Sequence, residues 1–225
     1  MRIFIFFCIV IVMSCTPPVV FDQAYPSDQE DLKSIPKQYQ GAFICESDSA
    51  LVIISDSSIT LHREHYFNTK IKYVEEREEC KIVDDKMYVS GRLECLPISM
   101  VNDSMVRGTF QETDTLFIME QGSVARLYNG HLVINQKIKH REWAISLLSP
   151  EDGGDLTYKS ITEKTKIKNV AKVTHTTDIK VNKGKKPRYK VRPTMKEFDE
   201  LLTDDKVFIE CEYLARVNLE GLFLN

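Results

Sequence analysis

Four groups of residues in this 225-residue chain have types and spacings that could do chemistry. Ser34-Ile35-Pro36-Lys37 matches the S-x-x-K pattern, in which a lysine activates a serine nucleophile from one helical turn away. That geometry needs a helix beneath Ser34. Pro36 opposes one, and the partner motifs S-D-N and K-T-G are absent. His62-Arg63-Glu64-His65 offers two imidazoles and a carboxylate, donor types suited to zinc or copper. On a strand, His62 and His65 point to opposite faces, so they cannot easily share a metal. Glu75-Glu76-Arg77-Glu78-Glu79 supplies adjacent carboxylates, but acid–base work needs them across a cleft at a fixed separation. Cys45, Cys80, Cys95 and Cys211 form the fourth group. They contain no C-x-x-C, which disfavours a zinc ribbon or a thioredoxin-like site. Cys80 and Cys95 flank an expected hairpin and are the pair expected to bridge; buried free thiols are the alternative.

G-x-S-x-G, H-E-x-x-H and the P-loop are also missing. The expectation is a non-enzymatic protein with no catalytic residues, no metal and no cofactor. A hydrolase with scattered, unrecognised residues stands as an alternative.

The cysteine that does carry a chemical signature is Cys15. Met1-Arg2 is followed by an apolar run from Ile3 to Met13, well short of the roughly 20 residues a membrane span needs. A basic start, a brief apolar stretch and a small residue before the cut read as a secretory signal peptide over residues 1–14. Val12-Met13-Ser14-Cys15 resembles the lipobox of bacterial lipoproteins. In that family the signal is cleaved before the cysteine, whose sulfur receives a diacylglycerol and whose new amino group is acylated. The resemblance implies lipidation of Cys15 and attachment to a membrane. Thr16 stands where many lipoproteins retained at the inner membrane carry Asp, so the resemblance implies the outer membrane; no acidic cluster closely follows Cys15, as one does in many surface-displayed lipoproteins, so the periplasmic face is expected.

Pro17, Pro18, Pro26 and Pro36 punctuate the next stretch. Proline removes hydrogen-bond donors and disfavours helix in the preceding residue. Residues 15–36 are therefore expected to be an extended leash without a fold of its own.

The rest is long enough for one sizeable domain or two small ones, with a charge and apolar content ordinary for a globular protein. The net charge of −3 hides an asymmetry. From Lys159 to Lys196 the many Lys and Arg residues are opposed only by Glu163 and Asp178. Lys183, Lys185, Lys186, Arg188 and Lys190 surround Gly184 and Pro187, and are the candidates for contact with an anionic surface. Nucleic acid would suit the same charges, but export removes it as a partner.

Residues 37–150 read as an antiparallel β domain, a meander closed into a barrel or folded as a sandwich. Short apolar or alternating runs such as "GAFIC", "ALVII", "SITLH", "TKIKYV" and "HLVINQ" are separated by polar turns. Asn129-Gly130 between "ARLY" and "HLVIN" is a strong hairpin signal. After Asp152-Gly153-Gly154, residues 151–225 read as a small α+β part. Here "DLTYKSI", "VAKVTHT" and "VFIECEYLARV" are expected strands or extended segments. Thr194 and Glu197 form a capping box ahead of a helix near residues 195–203. The overall expectation is a mainly β protein ending in a small α+β part.

The lipobox, the proline-bearing stretch and "IPKQYQGAF" leading into β structure together resemble the small lipoproteins of Bacteroidetes with a lipocalin-like β domain. Secreted proteins of that group carry O-glycans at Asp-Ser/Thr followed by an apolar residue or Thr. Ser49, Ser104 and Thr115 match that pattern and are candidate glycan carriers. The resemblance implies no catalytic residues. The function expected is a lipid-anchored envelope protein whose β domain binds a small apolar ligand or an envelope protein. An accessory subunit of an outer-membrane assembly is the alternative.

Overall fold

The computed structural model describes residues 17–91, 95–120, 122–181 and 186–218. Cys15, Lys183 and Lys185 lie outside them. The protein is mainly β, as expected, with short helices concentrated towards the C-terminal end.

Most of the chain folds as one curved antiparallel sheet. Its barrel-forming strands are β2 (Gly41–Cys45), β3 (Leu51–Ile54), β4 (Ser58–Lys70), β8 (Met105–Ile118), β9 (Val124–Tyr128), β10 (His131–Lys139), β11 (Glu142–Pro150), β12 (Leu156–Ser160) and β15 (Ile209–Val217). Their spatial order runs β9-β10-β11-β12-β15-β2-β3-β4-β8. Alternate residues of each strand turn inward. Phe43 and Cys45, Val52 and Ile54, Ile59 and Leu61, and Leu132 and Ile134 meet Leu148, Leu156, Phe117 and Leu214 in one buried cluster. Strands from both ends of that order share this core, so the sheet curls on itself into an open barrel.

Local chemistry sets the turns. Asn129 and Gly130 take φ of 48° and 79°, the left-handed pair that joins Tyr128 to His131 in a tight hairpin. Asp84 and Asp85 do the same, at 46° and 56°, between β5 (Cys80–Val83) and β6 (Lys86–Val89). β4 and β8 run well beyond β3 as a two-stranded ribbon. With β5, β6, β7 (Leu96–Asn102) and the short helix α1 (Ile71–Glu75) the ribbon forms an arm. The arm has its own small core around Val74, Met87, Leu96, Ile98 and Val106.

Four expectations need correction. The division at residue 150 does not hold, because β12 and β15 insert between β11 and β2 and complete the curved sheet. Nor is the stretch after Cys15 a leash. Its apolar residues outweigh its prolines: Val19–Phe21 forms strand β1, paired with β11 and in parallel with β14 (Arg188–Val191), while Tyr25 and Ile35 are fully buried. "VAKVTHT" begins as helix α2 (Ile167–Val173), which buries Val170, before strand β13 (Thr176–Ile179) follows. "TKIKYV" is the end of β4 running into α1. In both segments apolar residues two or three apart fit either period.

A second core lies on the outer face of β10 and β11. There Val133, Ile145 and Leu147 pack against β1, α2 and the helix α3 (Met195–Thr203) through Phe21, Tyr25, Val170, Phe198 and Leu201. The expected capping box is present: the Thr194 hydroxyl accepts from the Glu197 amide at 3.3 Å and the Thr194 amide donates to Glu197 at 2.7 Å. Among the described residues no helix is long and apolar enough to cross a membrane.

Candidate functional site: an apolar cavity with an acidic rim

The interior of the open barrel is not filled. A cavity of about 420 Å³ remains, floored by Val52, Ile54, Ile59, Leu61, Phe117, Ile134, Leu148 and Leu214. Tyr158, Ser146, Gln136, Cys45 and Cys211 add polar atoms to the wall, and Asp48, Arg63 and Glu212 stand at its margin. An adjoining cleft of about 350 Å³ shares Leu116, Phe117 and Gln136. It opens where the end of β8 faces β10 with no ladder between them.

Two bulges shape the wall. The β4–β8 register skips at Ile59/Thr60, which pair with Phe117 and Thr115, leaving Leu116 unopposed. The β12–β15 register skips at Tyr158/Lys159, which pair with Glu212 and Glu210, leaving Cys211 unopposed. A bulge turns its extra side chain out of the strand's alternation. Leu116 therefore joins Phe117, and Cys211 joins Glu212, on the cavity side.

The margin is acidic. Arg63 donates to Asp48 at 3.2 Å and to Asp114 at 3.4 Å, so one guanidinium serves two carboxylates. Glu212 accepts from the Ser47 amide at 2.9 Å and from the Ser47 hydroxyl. Burial pushes the Cys45 thiol up to about 11, helped by the charges of Glu212 and Asp48. Burial also raises Tyr158 and Cys211. Neutral thiols and a neutral phenol are weak nucleophiles, so these groups act as wall and hydrogen-bonding surface.

The residues singled out by sequence are scattered. His62 and His65 sit on β4 facing opposite ways. His62 lies between Thr60 and Thr113, and His65 contacts Glu112 at 3.0 Å and stacks on Phe110. Among the described residues no group of three or more His, Cys, Asp or Glu could hold a metal. Ile35 of the S-x-x-K match is buried, and its amide donates to the Asp56 carbonyl at 2.6 Å.

Cys80 and Cys95 are not bridged; all four cysteines of the described residues are free thiols. The staple fails on topology, because β6 lies between β5 and the start of β7. Cys80 and Cys95 are thus two strand spacings apart, on the order of 10 Å, beyond the roughly 7 Å a disulfide tolerates.

Ser49 and Ser104 sit in exposed turns and Thr115 on an exposed strand position. Of the basic residues, Lys186 is exposed and paired with Glu163, Lys190 is half-buried, and Arg188 is largely buried against Glu142.

The sequence did not point to Cys45, Gln136, Ser146, Tyr158 or Cys211 as neighbours. The two-residue apolar period in β2, β3, β4 and β10 was the available signal for the floor, and the bulges hid the rest. His131 and Ser149 form one further pair, with Nδ1 2.8 Å from the hydroxyl, outside this cavity. Among the described residues no carboxylate bonds to that imidazole. No protein-family model, curated protein or solved structure matches the chain.

Proposed function

We propose that this is a lipid-anchored, non-enzymatic cell-envelope lipoprotein whose curved sheet binds a small, largely apolar ligand. The observation that carries the reading is the apolar cavity of about 420 Å³ inside the barrel, within the size range of small-molecule sites. Its floor would take a hydrocarbon or aromatic body. Asp48, Asp114 and Glu212 outnumber Arg63 at the margin, which favours a neutral or cationic polar end over an anionic one. The anchor is the lipid on Cys15, in the outer membrane on its periplasmic side, with Ser49, Ser104 and Thr115 as glycan carriers in a host that has that pathway.

The test is binding of the neutral lipophilic dye N-phenyl-1-naphthylamine, followed by fluorescence. The wild type should bind. Ile134→Phe and Leu148→Phe, which fill the floor, should weaken binding at least tenfold while leaving the circular dichroism unchanged. Equal binding by all three refutes the cavity as the site. The anchor has its own test: a Cys15→Ala chain should remain unprocessed or become soluble, and a cleaved variant still held at the membrane contradicts it.

A second reading, an accessory subunit docking an envelope protein, draws on the arm. Tyr66, Tyr73, Tyr88 and Met100 are exposed there, an aromatic group typical of interface anchors. Crosslinking in the native envelope, repeated with Tyr66→Ser and Tyr73→Ser together, separates this reading from the first.

A further inference from the structure

The mouth of the barrel cavity repeats one pattern on two walls. On β4, Leu61 belongs to the floor, and Arg63, two residues on and on the same strand face, stands at the margin. On β15, Leu214 belongs to the floor, and Glu212, two residues before it, stands at the margin. Asp114 lies opposite Leu61 in the β4–β8 register. Two residues of strand span about 7 Å, so one ligand with a short alkyl chain can touch both floor and rim.

Arg63 is the only basic residue lining this cavity among the described residues. Its bonds to Asp48 and Asp114, 3.2 and 3.4 Å, are longer than the about 2.7–2.9 Å of a tight charge-assisted pair. All three side chains are more than a third exposed. Ion pairs so exposed contribute little, and one can be exchanged for another at small cost. Two of the carboxylates are held independently of Arg63. Asp48 accepts from the Ala50 amide at 3.0 Å, and Glu212 accepts from the amide of Ser47, the residue before Asp48, at 2.9 Å.

A polar group without a partner lies beneath them. Cys45 is 6% exposed and lines the cavity, and its thiol has no hydrogen bond among the described residues. After burial, the charges of Glu212 and Asp48 raise this thiol's pKa, and Arg63 offsets them only in part. The field at the mouth is therefore negative even with Arg63 in place.

We infer that the mouth is a cation subsite, filled by the Arg63 guanidinium in the free protein, and that the cavity's ligand is an alkyl amine whose ammonium group takes the place between Asp48 and Asp114. This rests on the cavity reading and narrows its ligand class. A primary amine is protonated at neutral pH, as a lysine side chain is. Its chain covers Leu61 and Leu214, and its ammonium supplies the N–H donors that Arg63 gives up. An anionic head would meet carboxylates at the same point and be repelled.

The test is displacement of N-phenyl-1-naphthylamine from the purified full chain by decylamine, decanol and decanoate, below their micellar concentrations. These share one chain length and differ in charge. Decylamine should compete at least threefold more strongly than decanol, and decanoate more weakly than decanol. The amine's advantage should shrink in high salt. Arg63→Gln should raise the decylamine-to-decanol ratio at least twofold, and Asp48→Asn with Asp114→Asn should abolish the preference. The ratio is taken within each variant, so damage common to the whole cavity cancels. A wild-type ratio below three, a smaller rise in Arg63→Gln, or a preference that survives the paired asparagines overturns the cation subsite. Displacement of the dye by decanol then leaves the cavity standing. Absence of dye binding, or dye that none of the three displaces, overturns the cavity and the subsite with it.

Discussion

Tyr25 and Asn135, 110 residues apart, exchange two hydrogen bonds of 2.8 Å: the Tyr25 amide donates to Asn135 Oδ1, and Asn135 Nδ2 donates to the Tyr25 carbonyl. Both residues are fully buried. The Tyr25 hydroxyl donates onward to the Pro193 carbonyl at 2.8 Å, just before α3. One asparagine on β10 thus fastens the proline-bearing segment to the outer face of the barrel.

Replacing Asn135 with Leu should expose the strength of that fastening. It leaves a buried amide and a buried carbonyl without partners, each costing about 1–3 kcal/mol. Urea unfolding should report a loss of about 3 kcal/mol. Limited proteolysis should cut within residues 22–34 far faster than in the wild type. An unchanged cleavage pattern would show that the segment is held by its apolar contacts alone.

Glu142 governs an acid-sensitive joint. It is 6% exposed and meets Arg188, 13% exposed, at 3.1 Å and the exposed Lys139 at 3.0 Å. Burial would raise its pKa, but hydrogen bonds from Lys139 and Arg188, with their charges, outweigh burial and hold the carboxyl below its ordinary range. The folded state therefore binds this proton less readily than the unfolded chain. The contribution is complete above the unfolded carboxylate pKa and is lost as pH falls through the folded value. Glu142→Gln should cost about 3 kcal/mol at neutral pH, because Arg188 is left buried without its partner. The variant's stability should then change less than the wild type's on acidification below pH ~4.5.

His131 adds an earlier step. Burial, with a smaller effect from Lys159, lowers its pKa, so the neutral form is favoured in the fold. Its contribution is present above the unfolded value near 6.5 and is lost as pH falls through the lower folded value. Nuclear magnetic resonance titration of the imidazole should find its midpoint below the ordinary histidine value of about 6.5. A midpoint at or above about 6.5 contradicts burial as the dominant influence on this ring.

Gly108 should be the most sensitive position of the arm. A Cβ there would meet the Phe67 ring at 2.4 Å and Ile98 at 2.9 Å. Gly108→Ala must displace Phe67, which packs against the arm's core, at a cost of about 1–3 kcal/mol. Hydrogen exchange should accelerate in residues 80–89 and 96–102 while the barrel strands keep their protection. Loss of protection throughout would mean that arm and barrel unfold as one unit.

Much of this architecture was legible where the signal is local. Asn129-Gly130 specifies a turn needing two left-handed residues, and Thr194 with Glu197 specifies a helix start; both need only neighbours a few positions away. Val52/Ile54 and Ile59/Leu61 fix which strand faces are buried through the two-residue period. What was hidden depends on distant pairing. Val19–Phe21 reads as a leash because prolines flank it, and only β14, some 170 residues on, makes it a strand. Leu214 meets Cys45 across β15 and β2, a pairing no local pattern announces. The cavity was least legible of all, since Leu116 and Cys211 reach it through bulges that break the period.

Native mass spectrometry of the protein purified from its native host tests most directly whether the barrel holds an apolar ligand. The wild type, purified in mild detergent, should carry a small hydrophobic molecule in defined stoichiometry beyond the mass of the lipid proposed for Cys15. Ile134→Phe, expressed and purified in the same way, should carry little or none. Identical masses of bound material on the two proteins, or none on the wild type together with no dye binding, would contradict the account.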